Sequence, residues 1–471
     1  MTSGKQPNVV LVVLDTVRAG NLELYGHDRE TMPSLTTFAE EATMFPRAYT
    51  NAPWTLPAHA SLFTGQLPSE HQCHGDTLSF DPSTPVLAQR LSENGYKTHA
   101  ISNNIWISDH FGFDRGFDTF YKQWQLFRES KDLGHVMKQN EQSPRELVSK
   151  ILSGNMIFNL LNGLYGRWLY RRSDFGARRS TDDALDTIDE TTDPFFLFVN
   201  YMEAHAPFTT HSEKTDCLSK DVTNTEIERC IEYSNRSLDY HTGRLDISLR
   251  EFDVLEQLYD SELRYLDMQL GRLFDGLRDE GILSNSLVVV VGDHGENLGD
   301  HDLMAHRFSV HDTLLHVPLV ISYPNHVEEP NMPTVPVDLR DVAAEITGIG
   351  SDCRTASVMP ERERETPVVA EYLSTDYTPE AKDEKFAFTG SRFDRRYVAG
   401  ITKEHKYAID DGERETLYEY GDTIGEKTQI DVDRSITDDI TPYLSTPTES
   451  SSGETVENEA VRQHLTDLGY L

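Results

Sequence analysis

Dense, short apolar runs separated by amphipathic stretches fill the first three quarters of the chain. Val9–Leu14 is rich in β-branched residues and reads as a buried strand; Thr98–Ser102, Phe195–Tyr201, Leu287–Val291 and Val317–Tyr323 follow with the same texture. Between them, Met32–Ala42 and Val86–Asn94 carry a helical apolar period. Leu255–Glu280 is a long amphipathic helix leading into the strand at Leu287. Strands alternating with helices predict an α/β fold, a large and mostly parallel sheet flanked by helices. In such sheets ligands sit beyond the carboxyl ends of the strands. After about residue 365, four short alternating runs (Val368–Tyr372, Arg396–Thr402, His405–Ile409, Thr416–Tyr420) predict a small antiparallel sheet. The division expected is therefore 1–365 for the α/β unit and 366–471 for a C-terminal antiparallel subdomain. Thr446–Glu459 reads as an acidic linker and Ala460–Leu471 as a terminal helix.

Two insertions interrupt the first unit. Residues 121–190 are helical and include Ile151–Leu169, which is better read as part of a packed lid than as a membrane-surface helix. Residues 209–250 are polar, a loop region with some helix.

Composition narrows the classes. The chain has 471 residues, 37% of them hydrophobic, enough for a sizeable core. Asp and Glu total 79 against 43 Lys and Arg, a formal charge of −36. Such a surface repels nucleic acid and anionic lipid. Only 13 of the basic residues are Lys, and high acid with few lysines points to a salt-adapted protein whose self-repulsion is screened. No signal core opens the sequence and no run of 18 apolar residues occurs, so stable membrane insertion is not expected. Four scattered cysteines read as reduced thiols, which with the missing signal predicts a cytoplasmic location. Oligomeric state is not legible.

Three places could carry chemistry. Asp15 directly follows an all-apolar strand and so belongs at its carboxyl end; Asp293-His294 ends SLVVVVG in the same manner. Two carboxylates and an imidazole at one sheet edge suit a divalent cation. Each alone reads equally well as a turn. Thr55, in WTLPAHASLFTG, stands where a Pro-punctuated loop becomes helical. A hydroxyl there meets free N–H groups that favour an anion, although sequence physics alone prefers an ordinary N-cap threonine.

The segments PNVVLVVLDTVRAGNLELYG, TMPSLTTFAEEATMFPRAYT, TLPAHASLFTG, FFLFVNYMEAHAPF, VVVVGDHGENLGDHDLMAH and HVPLVISYP resemble, in this order, the sulfatase family of the alkaline phosphatase superfamily. HKYAIDDGERETLYEYGD and the terminal LTDLGYL resemble its C-terminal region. The resemblance implies an α/β hydrolase with a metal-bound hydroxyl nucleophile and a smaller C-terminal sheet. By that resemblance Asp15, Asp293 and His294 match metal ligands, with Thr55 as both nucleophile and ligand. His205 matches the histidine on the ester group, and His306 the group that stabilises the leaving oxygen. One divalent cation is implied: Ca²⁺, Mg²⁺, Mn²⁺ or Zn²⁺, the single imidazole tilting toward the last two.

The departures shape the chemistry. Family sulfatases oxidise a Cys or Ser to formylglycine, and the methyl on threonine Cβ blocks that aldehyde. Thr55 must therefore act as a cation-activated hydroxyl, as in phosphoryl-transferring relatives. The second Asp of the family is Thr16, the signature Arg is His59, and the usual Lys and His near residue 103 are missing. His59, Asn103 and Asn104 are the candidate substrate contacts, the two amides as neutral donors. Arg18 is expected to pair with surface carboxylates, His301 to stand behind the site, and His311 and His316 to be structural. The function expected is a sulfuric or phosphoric ester hydrolase, including phosphodiesterase activity, on a small-molecule, glycan or lipid ester. The alternatives are a phosphotransferase using an alcohol acceptor, or a catalytically silent metal-stabilised binding protein.

Overall fold

The computed structural model describes residues 6–445 apart from 76, 128–173, 175, 193, 210–216, 325–331, 352–365, 374–391, 394 and 422–426. The linker at 446–459, the terminal helix at 460–471 and most of the expected lid lie outside the described residues.

A seven-stranded sheet forms the frame. In chain order its strands are β1 (Asn8–Leu14), β2 (Thr43–Met44), β3 (Lys97–Ser102), β4 (Thr119–Lys122), β5 (Phe195–Tyr201), β6 (Ser286–Gly292) and β7 (Leu319–Ser322), arranged 2-7-6-1-5-3-4. The five strands from β6 to β4 run parallel; β7 is antiparallel to β6, and β2 to β7. All seven residues of β1 are buried. Val9, Leu11 and Val13 face one apolar layer, and Val10, Val12 and Leu14 the other. Both faces are covered, which is why the central strands read as continuous apolar runs.

The run Val317–Tyr323 divides where Pro318 interrupts it. His316–Val317 pairs with Ala48–Tyr49, and only Leu319–Ser322 joins the main sheet. Proline has no N–H to give a ladder, and its carbonyl accepts instead from the Gly292 amide at 2.9 Å.

Seven helices matter for the site: α1 (Pro33–Ala39), α2 (Thr55–Thr64), α3 (Pro68–His71), α4 (Leu87–Glu93), α5 (Ala177–Glu190), α6 (Leu249–Asp279) and α7 (Leu339–Ser351). Helix α6 starts six residues before the expected Leu255. Ser248 and Glu251 close a reciprocal capping box there, with N···O distances of 3.3 and 2.8 Å, and this fixes the start in polar sequence. Leu255, Leu258, Tyr259, Leu266, Leu270, Leu273 and Leu277 line its buried face, each leucine worth about 1.5–3 kcal/mol of burial. The polar insertion contains helices Asn224–Ser234 and Ser237–His241.

The C-terminal sheet has five antiparallel strands in sequential order: β8 (Val368–Tyr372), β9 (Tyr397–Ile401), β10 (His405–Asp410), β11 (Glu415–Tyr420) and β12 (Lys427–Ile430). The last was not legible because its four residues, KTQI, are half-buried at best and show no apolar alternation. Ion pairs and hydrogen bonds fasten this sheet to the larger unit. Buried Lys406 bonds to Asp312 and to the Val310 carbonyl, both at 2.5 Å, and Lys427 reaches the other Asp312 oxygen at 2.8 Å. Buried Glu371 accepts from the Ser69 amide and hydroxyl at 2.7 and 2.9 Å.

No helix among the described residues is long and apolar enough to cross a membrane.

Candidate active site

Strand register builds the centre. Leu14 stands opposite Gly292 in the β1–β6 ladder, so the next residues, Asp15 and Asp293, leave the sheet side by side, with His294 after them. One ligand atom from each of the three lies within 4.8 Å of the others, all fully buried.

Thr16 makes the turn after β1 at φ 64°, a left-handed conformation rare for a β-branched residue. Its amide donates to Asp293 Oδ1 at 3.0 Å and its hydroxyl to Asp15 Oδ1 at 2.8 Å. Where the family pattern has a second carboxylate, this chain thus places a hydroxyl donor. Tyr259 on α6 secures the turn: its hydroxyl donates to the Thr16 carbonyl at 2.8 Å and accepts from the Arg18 amide at 3.0 Å. The Arg18 side chain is buried rather than on the surface. It pairs with Asp300 at 2.7 Å and Glu256 at 3.7 Å, and bonds to the Glu296 carbonyl.

Thr55 is the first residue of α2, whose ten residues are all buried. Trp54, extended at φ −155° and ψ 162°, occupies the capping position, so the Thr55 hydroxyl is not spent as an N-cap. It lies 3.1 Å from His294 Nε2. The other ring nitrogen, Nδ1, is 2.9 Å from the Gly295 carbonyl. A carbonyl only accepts, so Nδ1 carries the proton and Nε2 presents its lone pair to the centre. Gly295 is required here: a Cβ would stand 2.0 Å from the Thr313 carbonyl oxygen.

The electrostatics ask for a cation. Burial pushes the Asp15 carboxyl up to about 6, against hydrogen bonds from Asn104, Thr16 and Asn200. Burial and the neighbouring Asp15 raise Asp293 as well. Burial, then the nearby His306, holds His294 neutral. Asp293 Oδ2 accepts no hydrogen bond among the described residues, although His59 Nδ1 and His294 Nε2 each stand 3.4 Å away. Two adjacent buried carboxylates, one with an unsatisfied oxygen, and an imidazole lone pair fit a divalent ion.

The remaining candidates surround this centre. The His306 ring lies 4.6 Å from His294 and 5.1 Å from His205, centroid to centroid. His306 Nδ1 is 3.4 Å from Glu296 Oε2. Burial lifts Glu296 to about 8 and lowers His306 to about 3, the latter with help from Arg307. His205 Nδ1 donates to the Ala206 carbonyl at 2.5 Å. His59 sits one turn after Thr55 and donates to the Thr55 carbonyl at 3.0 Å. The edges of Phe113 and Phe198 enclose its ring, and burial lowers it to about 4. His59 therefore braces the first turn of α2. The Asn104 side-chain amide donates to Asp15 Oδ2 at 2.6 Å, and its Oδ1 accepts from the Trp106 amide at 2.9 Å. The Asn103 carbonyl accepts from Ser180 at 2.5 Å. His301 stacks on His311 at 3.7 Å, and His316 bonds to the Pro46 carbonyl.

The profile of the sulfatase family matches residues 7–349. The chain belongs to the sulfatase family. Among curated relatives, it is 25% identical over 418 residues to a choline-sulfatase of Rhizobium meliloti, covering 80% of this chain and 76% of that protein. It is also 25% identical over 334 residues to an arylsulfatase of Clostridium perfringens, covering 63% of this chain and 64% of that protein, just under two thirds of its length. Among solved structures, a phosphonate monoester hydrolase of Agrobacterium radiobacter superposes with a TM-score of 0.61 at 17% identity, covering 88% and 89% of the two chains. A second, from Silicibacter pomeroyi, gives 0.59 at 19%, covering 89% and 90%. At these identities the structural likeness speaks for the alkaline phosphatase-like fold alone. Family membership places the chain among ester hydrolases.

The sequence reading missed Glu296, Asn200, Tyr259 and Arg307. Glu296 and Arg307 were within reach, standing two residues after His294 and one after His306; nothing local marks Asn200 or Tyr259.

Proposed function

We propose that this protein hydrolyses sulfuric or phosphoric esters with Thr55 as the nucleophile. The observation that carries the reading is the buried Thr55 hydroxyl, 3.1 Å from Nε2 of His294, a member of the Asp15–Asp293–His294 donor set. A divalent cation held by those three residues would polarise the ester and lower the pKa of a nearby hydroxyl. Thr55 Oγ1 attacks sulfur or phosphorus in line with the departing ester oxygen, giving an O-threonyl ester that water then cleaves. His59, through the Thr55 carbonyl, and the Gly295-bound His294 fix the hydroxyl's position before substrate arrives. His205, whose Nδ1–H is committed to the Ala206 carbonyl, donates from Nε2 to a non-bridging oxygen of the ester only as the imidazolium. His306, backed by Glu296, serves the leaving oxygen. Asn104 acts through Asp15, orienting its carboxylate.

A paired assay tests this: aryl sulfate against aryl phosphate mono- and diesters, in molar KCl to screen the −36 charge, with Ca²⁺, Mg²⁺, Mn²⁺ or Zn²⁺ supplied singly. Thr55→Ala is expected to lower turnover of the best ester by about 10³-fold or more while melting behaviour holds. Thr55→Ala protein working at the full rate would remove the nucleophile assignment.

A further inference from the structure

We infer that His241 is a positioning residue for His306, clamping from the polar insertion the loop that carries it. The inference rests on the reading that His306 serves the leaving oxygen. His241 ends the helix Ser237–His241. Its Nε2 accepts from the Met304 amide at 3.0 Å. A backbone N–H only donates, so Nδ1 carries the proton of the neutral ring. Burial, then the Arg392 guanidinium, lowers His241 to about 3, which keeps Nε2 an acceptor. The ring meets Phe308 edge-on at 5.3 Å between centroids, and Phe393 at 5.0 Å. His241 thus grips the loop two residues before His306 and two residues after it.

That loop needs support from outside. Met304–Ala305 pairs antiparallel with Asn297–Leu298, and the Asn297 side chain donates to the Ala305 carbonyl at 2.8 Å. Ala305 (φ 61°) and Phe308 (φ 66°) are both left-handed, a conformation that persists in residues other than glycine only where the surroundings impose it. These two turns bracket His306 and Arg307, so both set the direction of the His306 ring. That ring stands 4.6 Å from His294 and 5.1 Å from His205. The bond to Met304 fixes the approach to the first turn, and the contact with Phe308 fixes the second. Misplacing a reacting group by about 1 Å costs up to about 100-fold in rate, so slack in this clamp reads out in turnover. The helix that supplies it belongs to the insertion at 209–250, which gives that polar stretch a part in the chemistry.

The test is a leaving-group series in the full-length protein with its working cation. It uses para-nitrophenyl, para-cyanophenyl and phenyl esters of whichever acid, sulfuric or phosphoric, wild type cleaves best. Here kcat/KM reports the steps through departure of the phenol, and a more basic phenol leans harder on His306. His241→Phe keeps a ring against Phe308 and Phe393 and deletes the acceptor. It should lower kcat/KM about tenfold on the phenyl ester, part of what a general acid supplies, and stay within about twofold of wild type on the para-nitrophenyl ester. His241→Gln, whose Oε1 takes the place of Nε2, should bring the phenyl ester back to within about threefold. A histidine that only stabilised the fold would lower all three esters in proportion. Hydrogen exchange reads the clamp without turnover: the Met304 amide should exchange about tenfold or more faster in His241→Phe and regain protection in His241→Gln. Equal losses across the three esters, unchanged Met304 exchange in His241→Phe, or no recovery in His241→Gln would overturn the inference. His306→Ala should steepen the same series more than His241→Phe does. A flat series in His306→Ala would instead overturn the leaving-group reading on which the inference rests, so the two failures are distinct.

Discussion

Tyr259→Phe probes how the carboxylate cluster is held. The substitution keeps the ring, its burial and its packing, and deletes one oxygen. That oxygen serves two backbone groups, accepting from the Arg18 amide at 3.0 Å and donating to the Thr16 carbonyl at 2.8 Å. Thr16 sits at φ 64°, a conformation that costs a β-branched residue about 1–3 kcal/mol and persists only where its surroundings enforce it. A buried backbone group left without a partner costs about 1–3 kcal/mol. Two such groups, less partial relief by an entering water, give an expected loss of about 2–4 kcal/mol. Denaturant unfolding measures it directly: the midpoint should fall while the slope stays that of wild type. The Thr16 turn aims both Asp15 and Asp293, so affinity for the activating cation and ester turnover should each fall about tenfold or more. A variant within about 0.5 kcal/mol of wild type, with unaltered cation affinity, would show that α6 does not hold the turn.

Three further outcomes are expected. Asn104→Leu removes the donor on Asp15 Oδ2, and should weaken cation binding and turnover about 10-fold or more; isothermal titration with Mn²⁺ and the aryl ester assay read the two effects. Lys406→Met leaves the largely buried Asp312 with Lys427 as its remaining cation, and should cost about 1–3 kcal/mol on a thermal or urea melt. His71, which accepts from the Cys73 amide and faces Ser61, is held neutral by burial, with its pKa lowered to about 3. The unfolded chain protonates it below about 6.5, so its share of stability is present above that pH and is lost on acidification, about 2 kcal/mol by pH 5; His71→Gln should flatten the acid limb of urea stability between pH 7.5 and 5 by that amount.

The parts of this molecule that could be read in advance are those where one residue's surroundings are its own neighbours in sequence. Asp15 and Asp293 each follow an unbroken apolar strand, and parallel pairing of those strands is enough to set the carboxylates together. The start of α6 was misjudged because attention to apolar period overlooks Ser248 and Glu251, whose signal is a reciprocal hydrogen bond. Lys427–Ile430 becomes a strand through pairing with Tyr418 and its neighbours, a partner that local composition does not reveal. The pairing of Thr55 with His294 joins residues 239 positions apart, and Tyr259 reaches Thr16 across 243. Geometry at that range comes from the packed sheet and helix, so only resemblance to a family could point to the first, and nothing pointed to the second.

The fastening of the C-terminal sheet has an engineering consequence. Lys406 and Lys427 grip Asp312, six residues beyond His306, and Arg392 holds the carbonyls of His301 and Asp302. The small sheet is thus a splint for the stretch that carries His306, the residue proposed to serve the leaving oxygen. Grafting a relative's C-terminal portion onto this body would reset the His306 loop at the same time, and any chimera must carry the lysine–aspartate joint across intact.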